Sequence, residues 1–596
     1  MTDDAAGDNR CGYEPVREEF DPDSEAEAEW LRERWDSATC WREPWDGGRC
    51  IWHADVKDKP ADELQRARAD EWEVLDGAVL NRVEFDDRMD FTGSRLRWAS
   101  GEEVTLEGAN FDGANLRDAQ FSDAVLQEAQ FSDAVLRGAQ FPDADLQKAK
   151  FPEADLQMAR FPDADLQRAK FPDADLRKAK FPDADLLRAR FLNATLQEAQ
   201  FRNADIIGTQ FPDADLIRAQ FPDAYLWEAQ FPDADLSGAQ FPDAVLLMTQ
   251  FPDANLRHAQ FPDAGLARAQ FPHASLTKAR FNGADLGGAQ LHRVSLTEAE
   301  LQNADLTGVQ ARGAVFHKAD LTGAVLRDAI LRDANLEDTR LNEVDLGGAQ
   351  LQDARLYQTV LFDALVDPTT DFGDSLIYER SSDLNGWFRN TADATPMQAA
   401  AWVHRNLQQL YEDNAMADEA RQFHIQKEEA QRERRRREVV RSLFARGDRT
   451  PRQAPGHLLR YVVGTTNRYL TYHGESLANI LLSAGAIILA CGLLYPFVGG
   501  IASDSTGARY EFTPGLDPTK LVAPESLDTL AQTLYFSVIT FSTIGYGDLY
   551  PASWWSKVLV GVESLSGALL VALFVFVLGG RWRDEGHCQV RILRTV

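Results

Sequence analysis

A period of five residues, doubled to ten, runs from about Leu106 to Leu361 and constrains this chain more than any other feature. Decapeptides such as FPDADLQRAK (161–170) and FPDADLIRAQ (211–220) place a large apolar residue at 111, 116, 121, 126 and onward. Alanine usually stands two residues before it: Ala159 precedes Phe161, and Ala164 precedes Leu166. An α-helix turns about 100° per residue and would spiral these positions round its axis. A flat strand of period two would not return them to one face either. A solenoid with short straight sides and a corner every five residues does both.

With its A(D/N)Lxx units, the region resembles the pentapeptide-repeat family. The resemblance implies a right-handed quadrilateral β-helix with four units per coil. Centres from 106 to 361 make 52 units, or 13 coils. At about 4.8 Å per coil the tower is on the order of 60 Å long. A ten-residue period on a 20-residue coil predicts Phe columns on two opposite faces and Leu columns on the other two. Proline after Phe, at 142, 162 and 172, fits a corner that needs no ladder donor. Leu80 and Phe85 keep a different register from Phe91 and Leu96, which predicts a one-residue bulge in the first coils. Ala311 fills a centre that should be large and marks a thin spot.

The net charge of −32 lies unevenly. Residues 1–100 carry −13, 111–360 another −13, and 451–596 sum to zero. That sign opposes non-specific binding of nucleic acid. With 12 Lys against 50 Arg, the composition suits the salt-saturated cytoplasm of a halophile, as in haloarchaea. Some pentapeptide-repeat proteins mimic DNA and inhibit topoisomerases. Here Asp143, Asp145, Asp163 and Asp165 sit beside Lys148, Lys150, Arg168 and Lys170, and ladders of opposite charge are expected to neutralise locally. A cytoplasmic scaffold that docks another protein is the better expectation.

Five cysteines make no disulfide framework. The first residues have no basic and apolar leader, so the amino-terminal bulk is expected in the cytoplasm. Within the acidic segment 1–74, Cys11, Cys40, Cys50 and His53 make a Cys3His set that could hold a structural Zn2+. The alternative is reduced cysteines buried among tryptophans. The repeat is expected over 75–366 and a linker over 367–450. There Thr395, Pro396 and Gln398 form a capping box, and Val403, Leu407 and Leu410 share a face. A turn at Asp413-Asn414 leads to a second helix with Ala420 and Phe423 inward, like one tetratricopeptide hairpin. Arg434–Arg437 reads as a solvated face, or as a contact to anionic lipid. Residues 451–476 are expected to contain an interfacial helix.

Residues 477–501 are 25 in a row without a charge, and a second apolar run spans about 555–580. Each is long enough to cross a hydrocarbon core of about 30 Å. Arginines precede the first and follow the second, which places both termini in the cytoplasm of a two-span plasma-membrane protein. Between them, 530–551 is too short to cross as a helix and return, and backbone at that depth must be enclosed or line water. Leu530 to Thr540 is the expected pore helix. Thr543-Ile544-Gly545-Tyr546-Gly547-Asp548 follows, with glycines that let successive carbonyls face one way.

Residues 477–583 resemble two-helix potassium channels, with TIGYGDLYP as the specific motif. The resemblance implies a filter in which carbonyls of Thr543, Ile544, Gly545 and Tyr546 and the Thr543 hydroxyl replace the hydration shell of K+. Four copies of the chain are needed to complete it. It also implies a gating-hinge glycine at Gly567. Where some members carry a Glu that braces the filter aspartate, this chain has Ile539, so Asp548 must find another partner, such as Tyr535. Glu563, an acid one turn before Gly567, is either a cavity-facing cation site or a hydrogen-bond partner to the pore helix or Asn479. There is no arginine array for voltage sensing and only a short tail, 584–596, so a gating signal is expected from the amino-terminal side. No enzyme is expected, since no nucleophile–base set or phosphate loop is present. The alternatives to a channel are a membrane-anchored scaffold and a topoisomerase inhibitor.

Overall fold

The computed structural model describes residues 50–54, 59–66, 75–85, 89–380, 395–444, 460–462, 464–466, 468, 476–512, 524–544 and 547–592. Two compact units divide after Ile377.

The first unit is the four-sided β-helix. Every side is a single parallel bridge, and bridges join residues 20 apart from Asp90↔Asn110 to Asp345↔Leu365. Two hydrogen bonds hold each rung, as where Leu146 N–H donates to Asp165 O at 2.7 Å and Asp165 N–H to Ala144 O at 2.9 Å. A two-residue turn makes each corner. In Phe141-Pro142-Asp143, proline fixes the second turn position and Asp143 takes the third at φ +54°. Left-handed φ disfavours most side chains, and Asp and Asn tolerate it best, which accounts for the FPD corners.

The interior is stacked rather than merely filled. Phe171, Phe191 and Phe211 form one column with centroids 4.6 and 4.8 Å apart and rings within 5° of parallel. The opposite column meets it edge-on at the axis, as Phe181 does Phe191 at 6.4 Å and 82°. Both arrangements suit the ring quadrupole. Where threonine replaces the small alanine at 209, 249, 339 and 359, its hydroxyl donates to a carbonyl of the preceding coil, and the polar group costs little.

The early register shift is where the sequence predicts it. Val79 pairs with Ser100 and Glu84 with Thr105, 21 residues on, before the spacing settles at 20. A second extra residue falls at the far end, between the Asp345↔Leu365 and Gln350↔Asp371 bridges. Ala311 is fully buried, and its coil carries Phe316 in a Leu column, which returns the missing volume one side later.

Opposite charges do meet between coils in places, as Lys148 meets Glu128 and Lys278 meets Glu298, but along the most regular repeats like charges stack instead of the expected opposite-charge ladders. A ten-residue repeat on a 20-residue coil stacks each position on itself, so Asp145, Asp165, Asp185 and Asp205 bridge one another, as do Lys150, Lys170 and Arg190. Burial, then the neighbouring Asp185 and Asp145, hold the Asp165 carboxyl above its ordinary value. The acid column is relieved locally. Each Asp accepts from the N–H two residues on, as Asp165 does from Gln167 at 3.0 Å. Gln147 and Gln167 reach Asp165 and Asp185 from the coil before, each at 2.7 Å.

Both ends of the stack are covered, as an open sheet edge must be. At the start, Trp52 is fully buried edge-on against Phe91, and its carbonyl accepts from Val79 N–H at 2.7 Å. Lys59, just before α1 (Ala61–Arg66), donates to the Val79 carbonyl at 2.5 Å. At the end, a turn at 367–370 lays Asp371 on Gln350 and buries Phe372 and Leu376 ahead of α2 (Ile377–Arg380).

The second unit contains an antiparallel hairpin, α3 (Pro396–Asp413) and α4 (Ala417–Phe444). The Thr395–Gln398 capping box starts α3, and Ala415 at φ +60° makes the turn. Val403, Leu407, Leu410, Ala420 and Phe423 fill the contact. Arg434, Arg436 and Arg437 pair with Glu438 and Glu433 on their own helix. Of the expected interfacial helix, the described residues are helical and lean on α4, where Arg468 pairs with Glu429 at 3.2 Å.

Next come α5 (Leu477–Leu494), β1 (Ile501–Ser503), β2 (Arg509–Tyr510), α6 (Pro524–Phe541), β3 (Leu549–Pro551) and α7 (Trp554–Ile592). A short 3-10 turn, Tyr495–Phe497, extends α5. Leu477–Phe497 and Trp554–Leu578 are the two helices long and apolar enough to cross a membrane among the described residues. The charge-free run of 25 is thus not all helix. It ends in a Gly499-Gly500 turn, both at positive φ, and the first residue of β1. The small sheet has the order β2-β1-β3, both pairs antiparallel.

Candidate pore site

α6 stands between the two spanning helices, and small residues set how closely. Gly492 of α5 lies where a Cβ would be 2.7 Å from Leu534 Cδ2. Gly567 of α7 lies where a Cβ would overlap the Phe541 carbonyl oxygen and sit 3.0 Å from its carbon. Tyr495, Phe536, Ile539, Cys491, Ile501 and Leu549 form a buried cluster on one side of α6. Ile480, Phe541, Leu570 and Val577 form another towards the opposite end of the spans.

The residues of the expected filter begin where α6 stops. Ser542 N–H still donates to Val538 O, and Ile544 N–H reaches back to Ile539 O at 3.1 Å. Thr543 then turns left-handed at φ +58°. A β-branched residue in that region costs on the order of 1–3 kcal/mol, and such strain concentrates at working sites. Ile544 is exposed, and Gly547 has φ +78°. Gly545 and Tyr546 lie outside the described residues.

Asp548 closes the segment and is held twice. Tyr535, on α6, donates its hydroxyl to Asp548 Oδ2 at 3.2 Å, the role expected for it with Ile539 in the bracing position. Asp504 N–H donates to the Asp548 carbonyl at 3.1 Å, so the end of β1 ties down the same residue. Sequence reasoning missed this sheet. Its only signal was the Gly499-Gly500 pair inside an apolar run.

Glu563 is fully buried. Tyr495 donates to its Oε2 at 2.6 Å, and the Ser537 hydroxyl lies on Oε1. Asn479 is not among these partners, and its N–H instead caps α5 on Ser476 Oγ. Gly567 is helical and tightly packed rather than a visible break in α7.

Of the expected zinc ligands, Cys11 and Cys40 lie outside the described residues. Cys50 and His53 are both buried, with Sγ and Nδ1 3.1 Å apart. His53 Nε2 donates to the Asp76 carbonyl at 2.8 Å, which leaves Nδ1 as the acceptor facing sulfur. Among the described residues no cluster of three or more His, Cys, Asp or Glu could hold a metal ion. On the tower, the Asp column gives way to Tyr225 and Val245, exposed by 54% and 39%, with Trp227 beside them at 45%.

Comparison with known proteins agrees with this division. Residues 516–583 match an ion channel family. Pentapeptide repeats match over six stretches between 89 and 364, and a pentapeptide repeat region over 154–223. The chain is 29% identical over 123 residues to the voltage-gated potassium channel KCNC4 of Rattus norvegicus, covering 21% of this chain and 16% of that one. It is 34% identical over 68 residues to a cyclic nucleotide-gated potassium channel of Rhizobium etli, covering 11% and 19%. The match thus spans under a fifth of either relative. HetL, a pentapeptide repeat protein involved in heterocyst differentiation regulation in the cyanobacterium Nostoc sp., is a solved structure with 31% identity. It covers 37% of this chain and 90% of that one, with a TM-score of 0.20. The chain carries pentapeptide repeats together with an ion-channel domain related to those of bacterial and mammalian potassium channels.

Proposed function

We propose that this chain is one subunit of a homotetrameric, potassium-selective channel of the plasma membrane, with both termini and the β-helix in the cytoplasm. The observation that carries the reading is the placement of Thr543–Asp548. The segment starts at the carboxyl end of a helix wedged between two apolar spans, with left-handed backbone at Thr543 and Gly547. Four such segments would present carbonyls of Thr543, Ile544, Gly545 and Tyr546, and the Thr543 hydroxyl, to a dehydrated K+. The α6 dipoles, their negative ends toward the ion, favour a cation there. Asp548, fixed by Tyr535 and Asp504, sits at the mouth. Gly567 is the hinge of this reading, and lipid contacts the outward faces of α5 and α7.

The β-helix serves as a scaffold or sensor, and the exposed Tyr225, Trp227 and Val245 support a docking role for it. Zinc fits only in part. Cys50 Sγ and His53 Nδ1 lie 3.1 Å apart, with the other imidazole nitrogen oriented by a carbonyl as for metal ligands. Cys11 and Cys40 would complete the set.

Purified chain in liposomes under a K+/Na+ gradient tests the channel. K+ flux well above Na+ flux is expected, abolished by Gly545→Asp. Tetramers that pass no K+, or flux that survives the substitution, leave a membrane-anchored scaffold as the reading.

A further inference from the structure

Glu563 is an acid in the middle of a spanning helix, and the Thr543–Asp548 filter proposed above does not use it. Three elements converge on its carboxyl. Tyr495, at the end of α5, donates to Oε2 at 2.6 Å. Ser537, one turn before the carboxyl end of α6, lies on Oε1 and also on the Ile488 carbonyl of α5 at 2.8 Å. The Cys491 thiol of α5 is the remaining polar neighbour. Every one of these side chains belongs to the same subunit, and Glu563, Tyr495 and Ser537 are without solvent access.

The same stretch of α6 is gripped on both sides by close packing. Gly567, one turn along α7 from Glu563, admits the Phe541 carbonyl, and Gly492 of α5 admits Leu534. Ser564 reaches the Thr540 carbonyl at 3.4 Å. Steric contacts of this kind set distance but leave α6 free to slide or rotate along the spans. A hydrogen-bonded carboxyl at the crossing removes that freedom, because its partners have fixed directions.

We infer that Glu563 is a positioning residue for the filter: it locks the depth and rotation of α6 against both spanning helices, and through α6 places Thr543–Asp548, which starts two residues after that helix ends. This rests on the channel reading above. It also chooses between the two roles open from the sequence. A cation site must face water, and this carboxyl faces Tyr495, Cys491 and Ser537.

The chemistry of the crossing gives a discriminating substitution. Ser537 has one hydroxyl hydrogen and two acceptors beside it. Glutamine at 563 can accept from Tyr495 and donate to Ser537, so it serves the network without a charge. Alanine cannot. The full-length chain in liposomes is compared as wild type, Glu563→Gln, Glu563→Ala, Ser537→Ala and Tyr495→Phe, reading K+ flux and the K+/Na+ permeability ratio. Glu563→Gln is expected within about twofold of wild type, whereas Glu563→Ala lowers the ratio about tenfold or more, the scale of losing a buried hydrogen-bond partner. Ser537→Ala and Tyr495→Phe fall between, and should Glu563→Ala fail to assemble, these two decide the matter.

The inference is overturned if Glu563→Gln is as damaged as Glu563→Ala, since the charge itself would then be in use. It is equally overturned if removing the arms leaves the permeability ratio unchanged. A wild type that passes no K+ refutes the channel reading instead. The lock is then read from heat dissociation of the tetramer, where Glu563→Gln should follow wild type and Glu563→Ala should not.

Discussion

Gly567→Ala separates two reasons for a glycine in a pore-forming helix. If Gly567 matters as a spacer, the added methyl has no room. It would overlap the Phe541 carbonyl oxygen and stand 3.0 and 3.3 Å from the adjoining carbon and Cα, all backbone atoms of α6 that no rotamer can move aside. Overpacking of this kind costs about 1–3 kcal/mol. Against that, Gly→Ala in a helix interior gains about 1 kcal/mol. Gly485 in α5 and Gly561 in α7 provide the baseline, because a Cβ there meets nothing within 4 Å. In the proposed tetramer, Gly485→Ala and Gly561→Ala are therefore expected to raise stability by about 1 kcal/mol per subunit, while Gly567→Ala is neutral to about 2 kcal/mol destabilising. Heat or denaturant dissociation of the purified tetramer measures the sign, and K+ flux in liposomes the consequence. Ser566→Gly added to Gly567→Ala separates the explanations. It restores backbone freedom one residue away but leaves the overlap in place. The spacer reasoning is refuted if Gly567→Ala stabilises like the two controls, or if Ser566→Gly rescues it.

Three further outcomes are expected. Phe191→Ala removes a ring stacked at 4.6 and 4.8 Å and met edge-on at 6.4 Å; it should cost about 3–5 kcal/mol. Hydrogen exchange of the full chain should show protection lost in adjoining coils and kept in distant ones, as nearest-neighbour coupling requires. Tyr535→Phe deletes the hydroxyl on Asp548; the loss of about 1 kcal/mol should appear as faster loss of current at constant drive, with K+/Na+ selectivity retained. At the end of the tower, the Thr369 hydroxyl first, with the Thr369 and Gly348 N–H groups and the Thr370 side chain, holds Asp367 below its ordinary 3.8. A depressed folded value means the carboxylate's contribution is fully present above about pH 3.8 and is lost as pH falls through the lower value. Protection at 346–371, measured against the intrinsic exchange rate at each pH, should therefore fall on acidification below that point, and Asp367→Ala should remove that pH dependence.

Much of the site was legible because its signals are local. Thr543–Asp548 is six adjacent residues, and the spans and capping box are short runs whose period or composition names them. Tyr535 was within reach as a partner for Asp548, being 13 residues away on one helix. What escaped was pairing at a distance. Tyr495 and Glu563 are 68 residues apart and Ser537 and Glu563 are 26 apart, so nothing in a local pattern says which way the acid turns. The β1–β3 sheet was hidden for the same reason, with strands of three residues on either side of α6.

By itself the sequence determined a solenoid with a corner every five residues, the register shift before Phe91 and the two apolar spans, while the coil of 20 and its Phe and Leu columns followed from the resemblance to pentapeptide-repeat proteins. A pattern repeated over dozens of units admits one way of burying its large residues, and a long uncharged run admits one kind of solvent. Only the tertiary structure decided that like charges stack up the tower, that Trp52 seals its first coil, that α6 meets the spans through Gly492 and Gly567, and that Glu563 faces inward. Those outcomes depend on which side chains meet across the fold. Directional hydrogen bonds and steric clearance, rather than hydrophobic period, make that choice.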